Sequence, residues 1–373
     1  MVEPTSSQPH VLIFPFPVQG HINSMLKLTE LLCLANIHVT YLLTVETHTR
    51  LLANTDVSRY TKYPGFRFQT LPESVSDGNA QSMDIILNLH ESMKTAKAFL
   101  RNLLLCEGLK KPVTCIITDG VMRFTLDIGK EIGVPVIYFR TISACSFWSY
   151  FCMNKLIEAE ECPFKGDDMD YPIKSVPGME SFLRRRDLPS LFRVADTSDG
   201  SFQMWLTETQ QTVRAQALIL NTFEDLEGPI LSQIRTQIPN IYTIGPLHAH
   251  LKAQTKLETT SSRLASSNSL WKEDKGCIKW LENQPLKSVI YINSRFVGEV
   301  WKLGLDIKDT CDRVIIEEAV KDLMCERNEE FTDSAKDMAT LASKAVNVGG
   351  SSHSNLNRLI QDIKSMSVLS QHA

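Results

Sequence analysis

Two polar residues of this chain stand where open α/β sheets do their chemistry. His21 follows the apolar run 10–16 across the turn Pro17-Val18-Gln19-Gly20, and Asp119 ends a second apolar run, 113–118. In such sheets, ligands bind in the crevice outside the carboxyl ends of the strands. Gly20 lets the backbone turn sharply before the histidine. A histidine beside a buried carboxylate makes a general base, because the carboxylate fixes the tautomer and stabilises the imidazolium as the proton is taken. A plainer reading is that His21 caps the following helix and Asp119 caps the turn from Val121 onwards. The pattern by itself leaves both readings open.

To meet, these residues need parallel strands. Residues 25–35 carry Met25, Leu28, Leu31, Leu32 and Ala35 on one face, the spacing of a helix lying on a sheet, and 37–44 reads as a second strand. The resulting βαβ unit implies parallel strands and a right-handed crossover. The alternation continues with strand 66–71, helix 83–105, strand 113–118, helix 124–132 and strand 134–139. An aromatic-rich helix 143–159, strand 217–221, helix 224–237 and strand 241–244 complete a doubly wound domain over residues 1–247. Residues 162–201, rich in Pro, Asp and Arg and without a period, read as a long functional loop with short helices at most. Residues 248–269, with many Lys, Thr and Ser, read as an interdomain linker.

Residues 270–373 hold less than a second domain of this kind. Helix 270–281, strand 288–292, helix 293–303, a short strand 305–307, amphipathic helices 314–325 and 332–346, and a last helix 356–366 are expected. Two short strands cannot bury both faces of a sheet.

Composition narrows the class. Across 373 residues, 43% are hydrophobic and 22% charged, and the net charge of −4 leaves no basic face for nucleic acid. The cluster Arg184-Arg185-Arg186 runs into Asp187 and reads as a solvated turn. The nine cysteines include no CxxC pair, and several sit in apolar runs, as buried thiols do in a reducing compartment. The first ten residues are polar, and no apolar run reaches the ~20 residues of a bilayer span. A cytoplasmic protein is expected. Two weaker candidates remain: Gly349-Gly350-Ser351-Ser352 before a helix reads as a capped linker rather than a phosphate cradle, and His248-x-His250 lacks neighbouring metal ligands.

Several stretches together resemble the plant UDP-glycosyltransferases of family 1. They are Phe-Pro-Val-Gln-Gly-His-Ile-Asn (16–23), Ile-Ile-Thr-Asp-Gly (116–120), Pro-Gly-Met (177–179) and Asp-Leu-Pro (187–189). Leu-Asn-Thr-Phe-Glu-Asp-Leu-Glu (220–227), Ile-Gly-Pro-Leu (244–247), Leu-Trp-Lys-Glu-Asp (270–274) and Ser-Val-Ile-Tyr (288–291) extend the match, which resumes at Ile-Asn-Ser-Arg-Phe-Val (292–297). The N-terminal half is most similar to the branch that glucosylates iridoids. The resemblance implies a two-domain GT-B fold and inverting transfer of glucose from UDP-glucose to a hydroxyl of a small lipophilic metabolite, iridoid, terpenoid or phenolic. It assigns His21 as the base and Asp119 as its support, and places Gln19, Phe147, Trp148 and Phe151 around the acceptor, although from the pattern alone the aromatic helix with Phe147, Trp148, Tyr150 and Phe151 is most simply core. No metal is implied, the UDP-sugar is a co-substrate, and a monomer without nucleic-acid or membrane partners is expected. Ser24 stands where many members have proline.

The same resemblance exposes a gap. After strand 288–292 the family carries a Ser-Phe-Gly-Ser turn and most of a Rossmann-like domain, including the signature box that holds UDP-glucose. Residues 270–373 contain no His-x-Gly-Trp-Asn-Ser, and Trp271, Trp280 and Trp301 are expected to sit in helices elsewhere. Val289-Ile290-Tyr291 occupies the place of the family's Asp-Gln pair. A segment on the order of a hundred residues is therefore expected to be missing at a seam between Tyr291 and Ile292. This leaves an acceptor domain (1–247), a linker (248–269) and a truncated donor domain (270–373) with no assignable donor-binding residues. Such a chain is expected either to transfer sugar far more slowly than an intact relative or to bind acceptor without turning it over.

Overall fold

The computed structural model describes residues 8–73, 84–105, 109, 111–255, 268–272, 274, 276–285 and 312–369, with backbone alone at 84–89, 255 and 368–369. The expected strands 288–292 and 305–307, the helix 293–303, Trp301 and the seam at 291/292 lie outside the described residues.

Every residue of β1 (His10–Phe14) is buried, and its side chains part alternately to two cores. Val11 and Ile13 join one cluster and Leu12 and Phe14 the other, as the two-residue period of a strand requires when both faces are covered. The chain then winds through α1 (Gln19–Leu34), β2 (His38–Leu43), α2 (Val45–Asn54), β3 (Phe66–Thr70), α3 (Asp84–Leu105), β4 (Cys115–Asp119), α4 (Phe124–Ile132) and β5 (Val136–Arg140). Next come α5 (Ala144–Phe151), α6 (Met153–Glu158), α7 (Gly200–Gln210), β6 (Ala217–Leu220), α8 (Glu224–Arg235) and β7 (Ile241–Thr243). The strands form one parallel seven-stranded sheet in the order β3-β2-β1-β4-β5-β6-β7. Growth runs outward from β1 to β3 and then restarts at β4 on the other side. The switch point of this doubly wound sheet therefore lies between β1 and β4, where such folds open their ligand crevice.

Local chemistry sets several boundaries. Asn36, at φ 60°, takes the left-handed conformation that ends α1, and Gly133, at φ 79°, does the same for α4. The Thr44 hydroxyl accepts from the Thr47 amide (3.1 Å) to start α2, a helix the sequence reading passed over. The helix expected over 143–159 breaks at Cys152 into α5 and α6. Of the helix expected over 270–281, only α10 (Gly276–Glu282) forms, after α9 (Leu247–Thr255). The first third of the stretch read as a linker, 248–269, is thus a helix packed on α1, with His250 buried, while 256–267 lie outside the described residues.

The Arg184-Arg185-Arg186 turn is also not solvated. Arg185 is buried, donates to Lys165 O (2.8 Å) and stacks over Tyr171 and Phe164, while Arg186 pairs with Asp170. These contacts organise the 162–201 excursion, which contains two single 3-10 turns and an isolated bridge between Pro172 and Arg184.

Toward the end of the chain lie α11 (Arg313–Lys321), which runs into a π turn, α12 (Asn328–Val346) and α13 (Ser351–Leu369). No residue of α10 or α11 is buried. In contrast, α13 lies against β7, and its Leu356, Leu359 and Ile363 belong to the sheet's own core. Among the described residues no helix is long and apolar enough to cross a membrane.

Candidate active site

His21 lies in the first turn of α1, because that helix begins at Gln19 rather than after the expected turn. Its Nδ1 meets Oδ2 of Asp119 at the end of β4, so the switch point brings together two residues 98 positions apart. A carboxylate only accepts hydrogen bonds, so Nδ1 carries the hydrogen of this bond, and in a neutral imidazole Nε2 is then the nitrogen with the lone pair. The imidazole is 23% exposed and the carboxylate 1%, leaving the base reachable and its support hidden. Neither capping alternative describes these side chains: Val18 is the cap residue of α1, and the turn after Asp119 closes through its backbone oxygen, to Met122 N (3.2 Å).

The rest of the site comes from the carboxyl ends of the neighbouring strands. Thr141, just beyond β5, places its hydroxyl 3.2 Å from Nδ1 and 3.3 Å from Nε2 of His21. Phe16 lies against the ring with centroids 5.8 Å apart. Gly120 follows Asp119, and the buried side chain of Arg140 passes so close to it that a methyl group there would collide.

The other residues expected around the acceptor make the following contacts in the structure. Both ends of the Gln19 amide are engaged by residues 268–270: Nε2 donates to Asn268 O (3.0 Å) and Oε1 accepts from Leu270 N (2.7 Å). Phe147 and Trp148 are at most 2% exposed and belong to the core, with Trp148 Nε1 donating to Pro177 O (2.8 Å). Phe151 is half-buried and stacks on Trp148. The aromatic helix therefore packs as core around Phe147 and Trp148, and only Phe151 retains a partly open face.

Other polar residues tie the surrounding elements together. Glu227 is buried, and its two carboxylate oxygens accept from the amides of Ala144 and Cys145 (3.0 Å each), fixing the start of α5. The run 220–227 is thus a strand end followed by an internal cap for a distant helix. Ser352, in the glycine-led segment, donates to Gly245 O (2.5 Å) and stitches α13 to the sheet. His250 of α9 is buried, and this burial lowers its pKa to about 4. Among the described residues, no three His, Cys, Asp or Glu gather as a metal site.

The parallel seven-stranded sheet with its switch point between β1 and β4 is a doubly wound α/β domain of the kind from which GT-B folds are built. No family model matches the chain. It is 40% identical, over 477 aligned positions, to 7-deoxyloganetic acid glucosyltransferase of Catharanthus roseus, with 97% of this chain and 98% of that protein covered. It is 34% identical to 7-deoxyloganetin glucosyltransferase of Gardenia jasminoides, over 90% of this chain and 73% of the relative. In fold it is similar to a Polygonum tinctorium UDP-glucosyltransferase capable of glucosylating indoxyl, with a TM-score of 0.74 at 16% identity, covering 97% of this chain and 100% of that one. The chain belongs to the plant family 1 UDP-glycosyltransferases, whose co-substrate is a UDP-sugar.

Proposed function

We propose that this chain receives an iridoid-type or phenolic alcohol at the carboxyl edge of β1 and β4. There Nε2 of His21 takes the proton of the acceptor hydroxyl. The oxygen then attacks the anomeric carbon of UDP-glucose in line, with inversion, and UDP leaves with the bonding electrons. Asp119 holds the imidazole and balances the charge it gains. The observation that carries this reading is the His21–Asp119 hydrogen bond at the switch point, with the carboxylate buried and the base open. The names of the relatives support an iridoid acceptor.

A second reading has its own support. An alignment of 477 positions against a chain of 373 residues leaves at least 104 positions (477 minus 373) that the relative fills and this chain does not. Together with the missing signature box, this favours a protein whose acceptor half is complete and whose donor half is reduced. Electrostatic stabilisation of the departing UDP is usually a large part of such catalysis. On this reading sugar transfer is severely slowed.

Purified chain tested with UDP-glucose and 7-deoxyloganetic acid, alongside calorimetric titration of UDP and acceptor separately, tests both. Acceptor binding without UDP binding or turnover supports the reduced-donor reading, and brisk turnover overturns it. Absence of acceptor binding overturns both.

A further inference from the structure

A buried carboxylate against a histidine carries a hazard for a base. Its charge favours the imidazolium, and an imidazole that is always protonated takes no proton. Relief requires a positive charge held nearby. Arg140, the last residue of β5, is 2% exposed and lies on the strand next to the one that ends in Asp119. Its Nη1 donates to Gly120 O (3.0 Å), one residue past Asp119, and its Nη2 to Thr209 Oγ1 (2.9 Å) on α7. The guanidinium is sandwiched by aromatic rings, 5.4 Å from the Phe147 centroid and 5.8 Å from that of Trp205. Its Nε has no hydrogen-bond partner. Among the described residues, no carboxylate forms a direct ion pair with the guanidinium.

We propose that Arg140 is a positioning residue for the His21–Asp119 pair. Its buried cation fixes Gly120 and offsets the Asp119 carboxylate, so that His21 stays neutral and ready to accept a proton. This inference rests on the reading of His21 as the base.

The groups facing Arg140 are consistent with that role. Burial lowers the Arg140 pKa, and the Asp119 charge is the first that opposes this. Glu208 on α7 is the other carboxylate nearby, but it has its own guanidinium, Arg123, whose Nε lies 3.4 Å from Oε1. Tyr138 on β5 and Tyr150 on α5 also face the guanidinium. Burial pushes both upward, Tyr150 to about 12, so both are neutral at physiological pH. Asp119 is thus the carboxylate left for Arg140 to balance.

The test is an NMR titration of the imidazole of His21 in the full chain, assigned with H21Q and read in R140Q, R140M, R140K and D119N. Removing the cation in R140Q or R140M is expected to move the His21 midpoint upward by about one pH unit, a tenfold change in proton affinity. R140K, which keeps the charge, is expected to stay within a few tenths of a unit, as a merely structural role would not predict. No shift in a folded uncharged variant, or an equal shift in R140K, overturns the proposal. If neither uncharged variant folds, T209V, which frees one hydrogen bond of the guanidinium, reads a smaller shift in the same direction, and its absence overturns the proposal. If D119N fails to lower the midpoint, the pairing of His21 with Asp119 has failed as a basis for the site, independently of Arg140.

Discussion

Gln19 and Leu270 are 251 positions apart in the chain and share a 2.7 Å hydrogen bond, the amide oxygen of one accepting from the backbone of the other. Gln19 opens α1 two residues before His21, and Leu270 is buried in the core of the sheet. Asn54 and Thr55, at the end of α2, donate to Leu270 O (3.1 Å) and Ser269 O (2.8 Å) from the other side. The segment leaving the sheet domain is thus clamped beside the candidate base.

Replacing Gln19 with Leu removes two of these hydrogen bonds and leaves Asn268 O and Leu270 N without their partner. A loss of about 2 kcal/mol is expected. Hydrogen exchange at Leu270 is the readout: faster exchange confined to 268–270 and the start of α1 fits, and unchanged protection contradicts the clamp.

Glu227→Gln puts an NH2 group against one of two backbone N–H donors. Expected are about 2 kcal/mol of destabilisation in urea and loss of order at the start of α5, with Glu227→Ala costing at least as much. A shift below about 0.5 kcal/mol in both variants would mean that Ser143, whose hydroxyl accepts from Ser146 N (3.1 Å), caps the helix unaided.

Arg185→Met keeps the bulk of the stem and removes a buried cation that bonds three backbone oxygens, those of Lys165, Gly166 and Asp168. Stability is expected to fall by about 2–3 kcal/mol, since hydrogen bonds to charged groups are the stronger ones. Limited proteolysis should move to residues 162–201. Cleavage elsewhere with the excursion intact would show that Arg185 does not organise it.

Acid should loosen the molecule through two buried histidines. Burial lowers His10 and His250 to about 4 from an ordinary value of 6.5. Between those limits the unfolded chain binds more protons than the folded one, so stability falls as pH drops from about 6.5 and the loss levels off below about 4. Each contributes on the order of 3 kcal/mol at most over that window. Urea midpoints measured from pH 7.5 to 4 should decline, and His250→Asn, if it folds, should decline less steeply. An equal slope in that variant would exclude His250 as a source.

The sheet was legible because its strands announce themselves twice, as short apolar runs and by their regular alternation with helices. Strands 37–44 and 113–118 were misplaced by no more than two residues, and helix 124–132 matched its boundaries. His21 and Asp119 could be paired because parallel topology sends consecutive strand ends to one edge. What failed was set by tertiary contacts. Helix α2 has only Thr47 and Leu51 buried, too few to show a period. Arg185 reads as a surface charge until the carbonyls of residues 165–168 come round to meet it. Gln19 was placed by resemblance as an acceptor contact, and nothing in its neighbourhood in the sequence announces the hydrogen bond it accepts from Leu270, 251 residues downstream.

The position of α13 has a consequence for synthesis on the ribosome. Edge strand β7 gains its cover from Leu356, Leu359 and Ile363, and Tyr242 donates to Asp362 across 120 residues of chain. The strands and their local helices can assemble as they emerge, but the outer edge must wait, bare, for a helix translated much later. A nascent chain arrested between β7 and α13 would present an open apolar flank to chaperones, and binding should cease once α13 has cleared the exit tunnel.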